Sequence, residues 1–267
     1  MYKDMTQGTG TQGTGTQGTD TQGTETQAFG AYFQCYRSPM STYKCLESFR
    51  RHYPTATVVL LSDNGYNYAK MAEQFGCIYI HSHENYRLCD IATSNVPALL
   101  KRIQDAFRII PEEYVMWLED DVSVNAPVTD TFRYDINGYC PNTYSRKMIE
   151  ALQQTYPLDR GIYRWAGHGG AVFHRENLIT YLDNRSMLDD ILFNWPRYQL
   201  PATICQDFVI SLMINIQQGT IGPYEGHADD HLGLNPSIKI QHQYKVWYST
   251  PFPPELAYLK IEDPFNP

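Results

Sequence analysis

The sequence has no excess of basic residues. Lys and Arg number 21 against 29 Asp and Glu, giving a net charge of −8 and a pI near 5.4. Proteins that live on nucleic-acid phosphates draw much of their binding free energy from a basic face. Nucleic acid is therefore excluded as the expected partner. A single nucleotide is not, because backbone amides and a metal ion can hold a diphosphate. The six cysteines, Cys35, Cys45, Cys77, Cys89, Cys140 and Cys205, include no C-x-x-C pair. A chain of 267 residues buries enough apolar surface to fold without disulfides. Its scattered cysteines read as small core residues in a reducing compartment. No apolar run approaches the ~20 residues that span a bilayer. Met1 to Asp4 lead straight into Thr, Gln and Gly, not into the apolar stretch of a secretory leader. Together these absences predict a cytoplasmic protein without a transmembrane segment.

Apolar residues are also missing from positions 6–27, which repeat Thr-Gln-Gly-Thr followed by Gly, Asp or Glu. Such a segment buries nothing to offset its ordering entropy. Residues 1–28 are expected to form a disordered tail, and 29–267 one folded domain. Within that domain strands and helices alternate. Strands are predicted at 31–36, 57–61, 77–80 and 114–118, and helices at 42–52, 68–75 and 96–109. Val96, Leu99, Leu100, Ile103 and Phe107 carry the helical period. The strand at 57–61 runs into Ser62-Asp63-Asn64-Gly65, a turn sequence. Near-continuous apolar strands separated by helices imply a mainly parallel sheet covered on both faces. The second half is less regular. Strand and tight loop are predicted at 162–173, helices at 175–182 and 207–216, and a loop-rich stretch after Gly219.

Ligands of such sheets bind beyond the carboxyl ends of the strands. Two acidic features fall there: Asp63, and the run Glu119-Asp120-Asp121 after Tyr-Val-Met-Trp-Leu. Two like charges about 4 Å apart repel by roughly 4 kcal/mol at an effective dielectric of about 20. The run is either a solvated turn or a site for a hard divalent cation such as Mg²⁺ or Mn²⁺. Asp63 is likewise either a turn former or a ligand contact. The glycines of Gly167-His168-Gly169-Gly170 allow a close approach to a ligand or a tight bend. Trp165 suits a sugar ring or the core. Arg87 and Lys101 are candidates for a diphosphate.

These residues resemble the nucleotide-sugar glycosyltransferases of the GT-A fold, particularly the family 2-like inverting enzymes. The resemblance rests on Ala31-Tyr-Phe-Gln-Cys-Tyr36, Leu60-Leu61-Ser62-Asp63, Leu118-Glu119-Asp120-Asp121-Val122 and Cys205-Gln206-Asp207. It implies a GT-A-type Rossmann-like domain with a mainly parallel central sheet. Residues 29–125 would form its nucleotide-binding half and 126–267 a less regular acceptor-side half. The implied reaction moves a sugar from a nucleotide-sugar donor to a hydroxyl of a glycan or other acceptor, with Mn²⁺ or Mg²⁺ as cofactor. Asp121 would ligate the metal through the E-D-D form of the family's D-x-D motif. Glu119 and Asp120 would contact ribose or metal-bound water, and Asp63 the base. Gly169 and Gly170 would line the donor or acceptor sugar. Asp207 would be the general base, and at a helix start it could also be the N-cap. A third metal ligand would come from the C-terminal region, where His227, His231 and His242 compete. His231 is chosen because it follows Asp229-Asp230.

The chain departs from the family in three places. Residues 84–95 lack the usual Gly and Ala-Arg-Asn run, Gln206 stands where a second acid is usual, and no aromatic acceptor motif is clear. Two other classes follow from the same residues. One is a metal-dependent phosphodiesterase using the acids, although no H-x-D or D-x-H pair lies near them. The other is a non-catalytic nucleotide-sugar-binding module, suggested by Gln206.

Overall fold

A computed structural model describes residues 28–86, 95–159, 161–201, 205–230, 234–242 and 245–263. Residues 6–27, Arg87, Cys89 and His231, all singled out above, lie outside the described residues.

The first half alternates as predicted. It runs β1 (Phe29–Cys35), α1 (Pro39–His52), β2 (Val58–Asp63), α2 (Ala69–Gln74), β3 (Ile78–Ser82), α3 (Val96–Ile109), β4 (Tyr114–Glu119) and β5 (Ser123–Val124). The second half contains β6 (Ile136–Gly138), β7 (Asn142–Thr143), α4 (Arg146–Leu152), β8 (Arg164–Trp165) and β9 (Val172–His174). It continues with α5 (Arg175–Asp183), α6 (Arg185–Phe193), α7 (Gln206–Ile216), β10 (Ile221–Pro223), β11 (His227–Asp229) and β12 (Ile240–His242). The stretch after Gly219 thus holds three short strands where a loop is predicted. Their length, three residues each, is too short for a period to show.

The central sheet has the order β10-β6-β9-β4-β1-β2-β3. Its β3, β2, β1 and β4 are mutually parallel, and β9 runs antiparallel to both β4 and β6. The architecture is therefore α/β with a mainly parallel sheet.

Burial explains the continuous apolar strands. Alternate residues of the same strands face opposite sides. Tyr32, Val59, Leu61, Val115 and Trp117 join one core with α3, α5, α6 and α7. Ala31, Phe33, Leu60, Met116 and Leu118 join the other with α1 and α2. The apolar residues that set the period of α3 are all buried in the first core. Among the described residues, no helix is long and apolar enough to cross a membrane. This frame aims the carboxyl ends of β1, β2 and β4 at one edge.

Candidate active site

β4 is buried from Val115 to Leu118 and emerges at Glu119. The chain then turns, with the Val122 amide donating to the Glu119 carbonyl at 3.1 Å. Asp120 and Asp121 ride that turn, 2% and 6% exposed. Tyr248 donates a hydrogen bond to Asp120 Oδ1. Asp121 Oδ1, in contrast, is buried without a hydrogen-bond partner. Burial first, then the charge on Glu119, push Asp121 up to about 6.

Strand pairing brings a histidine to these acids. β12 runs antiparallel to β5, with Ile240 opposite Val124 and Gln241 opposite Ser123. The next residue, His242, consequently lies beside the turn. Its Nε2 is 3.5 Å from Asp121 Oδ1 and 3.8 Å from Glu119 Oε2. Lys245 Nζ lies 3.8 Å from Asp121 Oδ2. The donor atoms of Glu119, Asp121 and His242 all fall within 4.8 Å of one another. This is a spacing that one ion could span. His227, Asp229 and His242 form a second group of the same tightness.

The glycine loop packs against this cluster. The Gly170 amide donates to the Trp117 carbonyl at 2.7 Å, and the Trp117 amide to the Ala171 carbonyl at 2.8 Å. The loop is thereby pinned along the end of β4. A Cβ at Gly169 would sit 2.4 Å from His242 Nε2, and one at Gly170 would sit 2.8 Å from His227 Nε2. Gly170 also has φ of +83°. Both glycines are thus required by close approach to histidine rings, and Gly170 by its backbone as well. A Cβ at Gly167 would meet nothing within 4 Å.

On the far side of the loop stands Asp207. α7 begins at Gln206 with Cys205 as its N-cap, so Asp207 belongs to the first turn and is not the cap. Its Oδ1 lies 3.2 Å from Nδ1 of the fully buried His168. Burial, then Glu119, raise Asp207 to about 7. Burial lowers His168 to about 3. Its ring packs on Trp117 and Phe173, with centroids 4.9 and 5.1 Å apart. His168 is therefore neutral, and Asp207 is poised near neutrality beside it. Gln206 Oε1 is buried without a hydrogen-bond partner.

Asp63 has a different setting. It is fully buried, and Arg102 Nη1 donates to its Oδ1 at 2.7 Å. Gln34 Nε2 donates to Oδ2 at 3.1 Å, and the Tyr86 amide donates to the same carboxylate at 3.0 Å. The side chain thus ties β1, β2, α3 and the segment after β3 together. Lys101 faces solvent in an ion pair with Asp105. Trp165 packs edge-on to Phe208, at 6.2 Å between centroids.

Arg102 is a residue of the site that the motifs did not single out, while His168 and Asp229 entered only as neighbours of the loop glycines and of His231. His242 ends β12, two residues after Ile240, so the only local signal is that the two side chains share a face.

No family model matches this chain, and no curated protein is similar to it. Among solved structures the chain is similar to the galactosyltransferase LgtC in complex with donor and acceptor sugar analogues. The identity is 13%, covering 86% of this chain and 99% of that one, with a TM-score of 0.46. It is also similar to the glycosyltransferase GlyE of Streptococcus pneumoniae in its apo form. There the identity is 15%, covering 82% of this chain and 54% of that one, with a TM-score of 0.47.

Proposed function

We propose that this chain is a metal-assisted glycosyltransferase of the GT-A type. It moves a sugar from a nucleotide-sugar donor to a hydroxyl acceptor in a single inverting displacement, as in the family 2-like enzymes. The observation that carries the proposal is the convergence of Glu119, Asp121 and His242 at the carboxyl end of β4, with Asp207 close enough to feel the charge of Glu119.

The residues fit a divalent cation. Asp121 Oδ1 is buried with no hydrogen-bond donor, which is unfavourable unless a cation completes it. Two carboxylates and an imidazole form a ligand set suited to Mn²⁺, and carboxylates alone would suit Mg²⁺. Glu119, Asp121 and His242 would hold the ion. When bound, it stabilises the charge developing on the leaving nucleoside diphosphate.

The remaining chemistry belongs to the chain's own residues. Asp207 accepts the proton of the acceptor hydroxyl as that oxygen attacks the anomeric carbon. Its raised pKa places it near the operating pH, where a general base is most effective. The start of α7 favours the ionised carboxylate. The His168 ring lies beside it, with Nδ1 3.2 Å from Oδ1. Gly169 and Gly170 let the loop close on His242 and His227 and so hold the cluster together. Lys245, 3.8 Å from Asp121, supplies a cation on the diphosphate side. Asp63, held by Arg102, shapes the base pocket from behind.

A panel of nucleotide-sugars screened by thermal shift tests this reading. A specific donor at 100 times its Kd raises apparent stability by about 2.7 kcal/mol. We expect one donor to do so with Mn²⁺ and not with EDTA. No shift from any donor under either condition would contradict the proposal.

A further inference from the structure

Two overlapping groups compete for an ion around His242: Glu119 and Asp121 on one side, His227 and Asp229 on the other. Hydrogen bonding decides between them. The Tyr139 amide donates to His227 Nδ1 at 3.0 Å. An amide N–H can only donate, so His227 Nδ1 carries a lone pair and its proton sits on Nε2. An imidazole with a lone pair on Nδ1 and its proton on Nε2 is neutral. Its Nε2 consequently has no lone pair for a cation. The second group is left with one carboxylate and a shared histidine, which is not an ion site.

Asp229 then has a different part to play. Its Oδ1 lies 2.9 Å from His242 Nδ1. A carboxylate accepts, so His242 Nδ1 donates, and the lone pair of the neutral ring falls on Nε2. That nitrogen faces Asp121 and Glu119. The pairing is built into the backbone. β11 and β12 are parallel with Asp229 in register with His242, and the Asp230 amide donates to the His242 carbonyl at 3.2 Å. Gly169 closes against the opposite edge of the ring, where even one Cβ would collide.

We propose that Asp229 is a positioning residue that locks His242 in the Nδ1–H tautomer and aims Nε2 at the cation held by Glu119 and Asp121. The inference rests on the metal site proposed above. Carboxylate partners of this kind typically change metal affinity 10- to 100-fold.

The test is a titration of the metal-free full chain with Mn²⁺ alone, read by the electron paramagnetic resonance of the free ion. Wild type, Asp121→Asn, Asp229→Asn and Asp229→Leu are compared, and circular dichroism in EDTA checks that each is folded. Wild type is expected to bind one Mn²⁺ and Asp121→Asn to lose it. Asp229→Leu should bind about 10- to 100-fold more weakly. Asp229→Asn should bind more tightly than Asp229→Leu, because an amide oxygen still accepts from Nδ1–H. A purely structural role would not produce that rescue. If Asp229→Leu does not fold, Asp229→Asn against wild type carries the test, with a weakened but retained site expected. Asp229→Leu binding as tightly as wild type overturns the positioning role, as does an Asp229→Asn no better than a folded Asp229→Leu. Wild type binding no more Mn²⁺ than Asp121→Asn removes the metal site itself, and the positioning role with it.

Discussion

His242 Nε2 stands 3.5 Å from Asp121 Oδ1, and the Asp229 carboxylate holds the other nitrogen of the same ring. Burial pulls His242 towards the neutral form, but the hydrogen bond that its Nδ1 donates to Asp229 and the negative charge of nearby Glu119 outweigh it and lift the ring to about 10. Without a cation the imidazolium supplies the positive charge the acids need.

A pH dependence follows. The folded pKa lies above the ordinary value of about 6.5. The stabilisation is therefore full below about pH 6.5 and is lost as pH rises through about 10. Between pH 6.5 and 8.5 the metal-free protein should lose up to about 1.4 kcal/mol per pH unit from this group. Urea unfolding in EDTA at the two pH values measures it. His242→Gln should show a flatter dependence. An unchanged slope in the variant would mean that His242 is not charged by the acids.

The glycine loop makes a graded prediction. Gly167→Ala should change stability by less than about 0.5 kcal/mol, because its Cβ meets nothing. Gly170→Ala should destabilise by at least about 1–2 kcal/mol, since φ is +83° and the new methyl strikes His227 and Ile240. Gly169→Ala has no positive φ to oppose it, but it displaces His242. Its signature should be weakened Mn²⁺ binding out of proportion to its loss of stability. Thermal melts with and without Mn²⁺ separate the three. Equal effects at all three positions would contradict the packing described.

Asp207→Asn should lower sugar transfer by roughly 10²-fold or more, the scale of a lost general base. Donor binding should remain nearly intact, since the proposed metal ligands Glu119, Asp121 and His242 lie on other elements. The product should have inverted anomeric configuration, read by NMR. A fully active variant, or a retained configuration, would take Asp207 out of the base role.

Much of the first half was legible because its elements are long and buried on both faces. α3 follows the predicted bounds, and the acid run falls at the end of β4 as expected. The histidine beside Asp121 was narrowed to His227, His231 and His242, but which of them it is was not legible. His242 reaches Asp121 through the pairing of a three-residue strand with a two-residue one. Such pairing is a tertiary fact with no local period. The acidic neighbours that favoured His231 include Asp229, which instead accepts from His242 across a parallel strand pair. Asp63 shows the converse. Its place at the carboxyl end of a buried strand was legible, although β2 runs through Asp63 where a turn was expected, and its partner Arg102 lies on α3, distant in sequence.

Turnover of the donor tests the central claim most directly. Release of nucleoside diphosphate from a panel of nucleotide-sugars, with candidate hydroxyl acceptors present, is measured with Mn²⁺ and with EDTA. Wild type and Asp121→Asn, which keeps the shape of the side chain and removes its charge, are compared. At least one donor should be turned over by wild type with Mn²⁺, and that activity should largely vanish both in EDTA and in Asp121→Asn. Undiminished turnover in EDTA, or a fully active Asp121→Asn, would contradict a metal-assisted transfer centred on Glu119, Asp121 and His242.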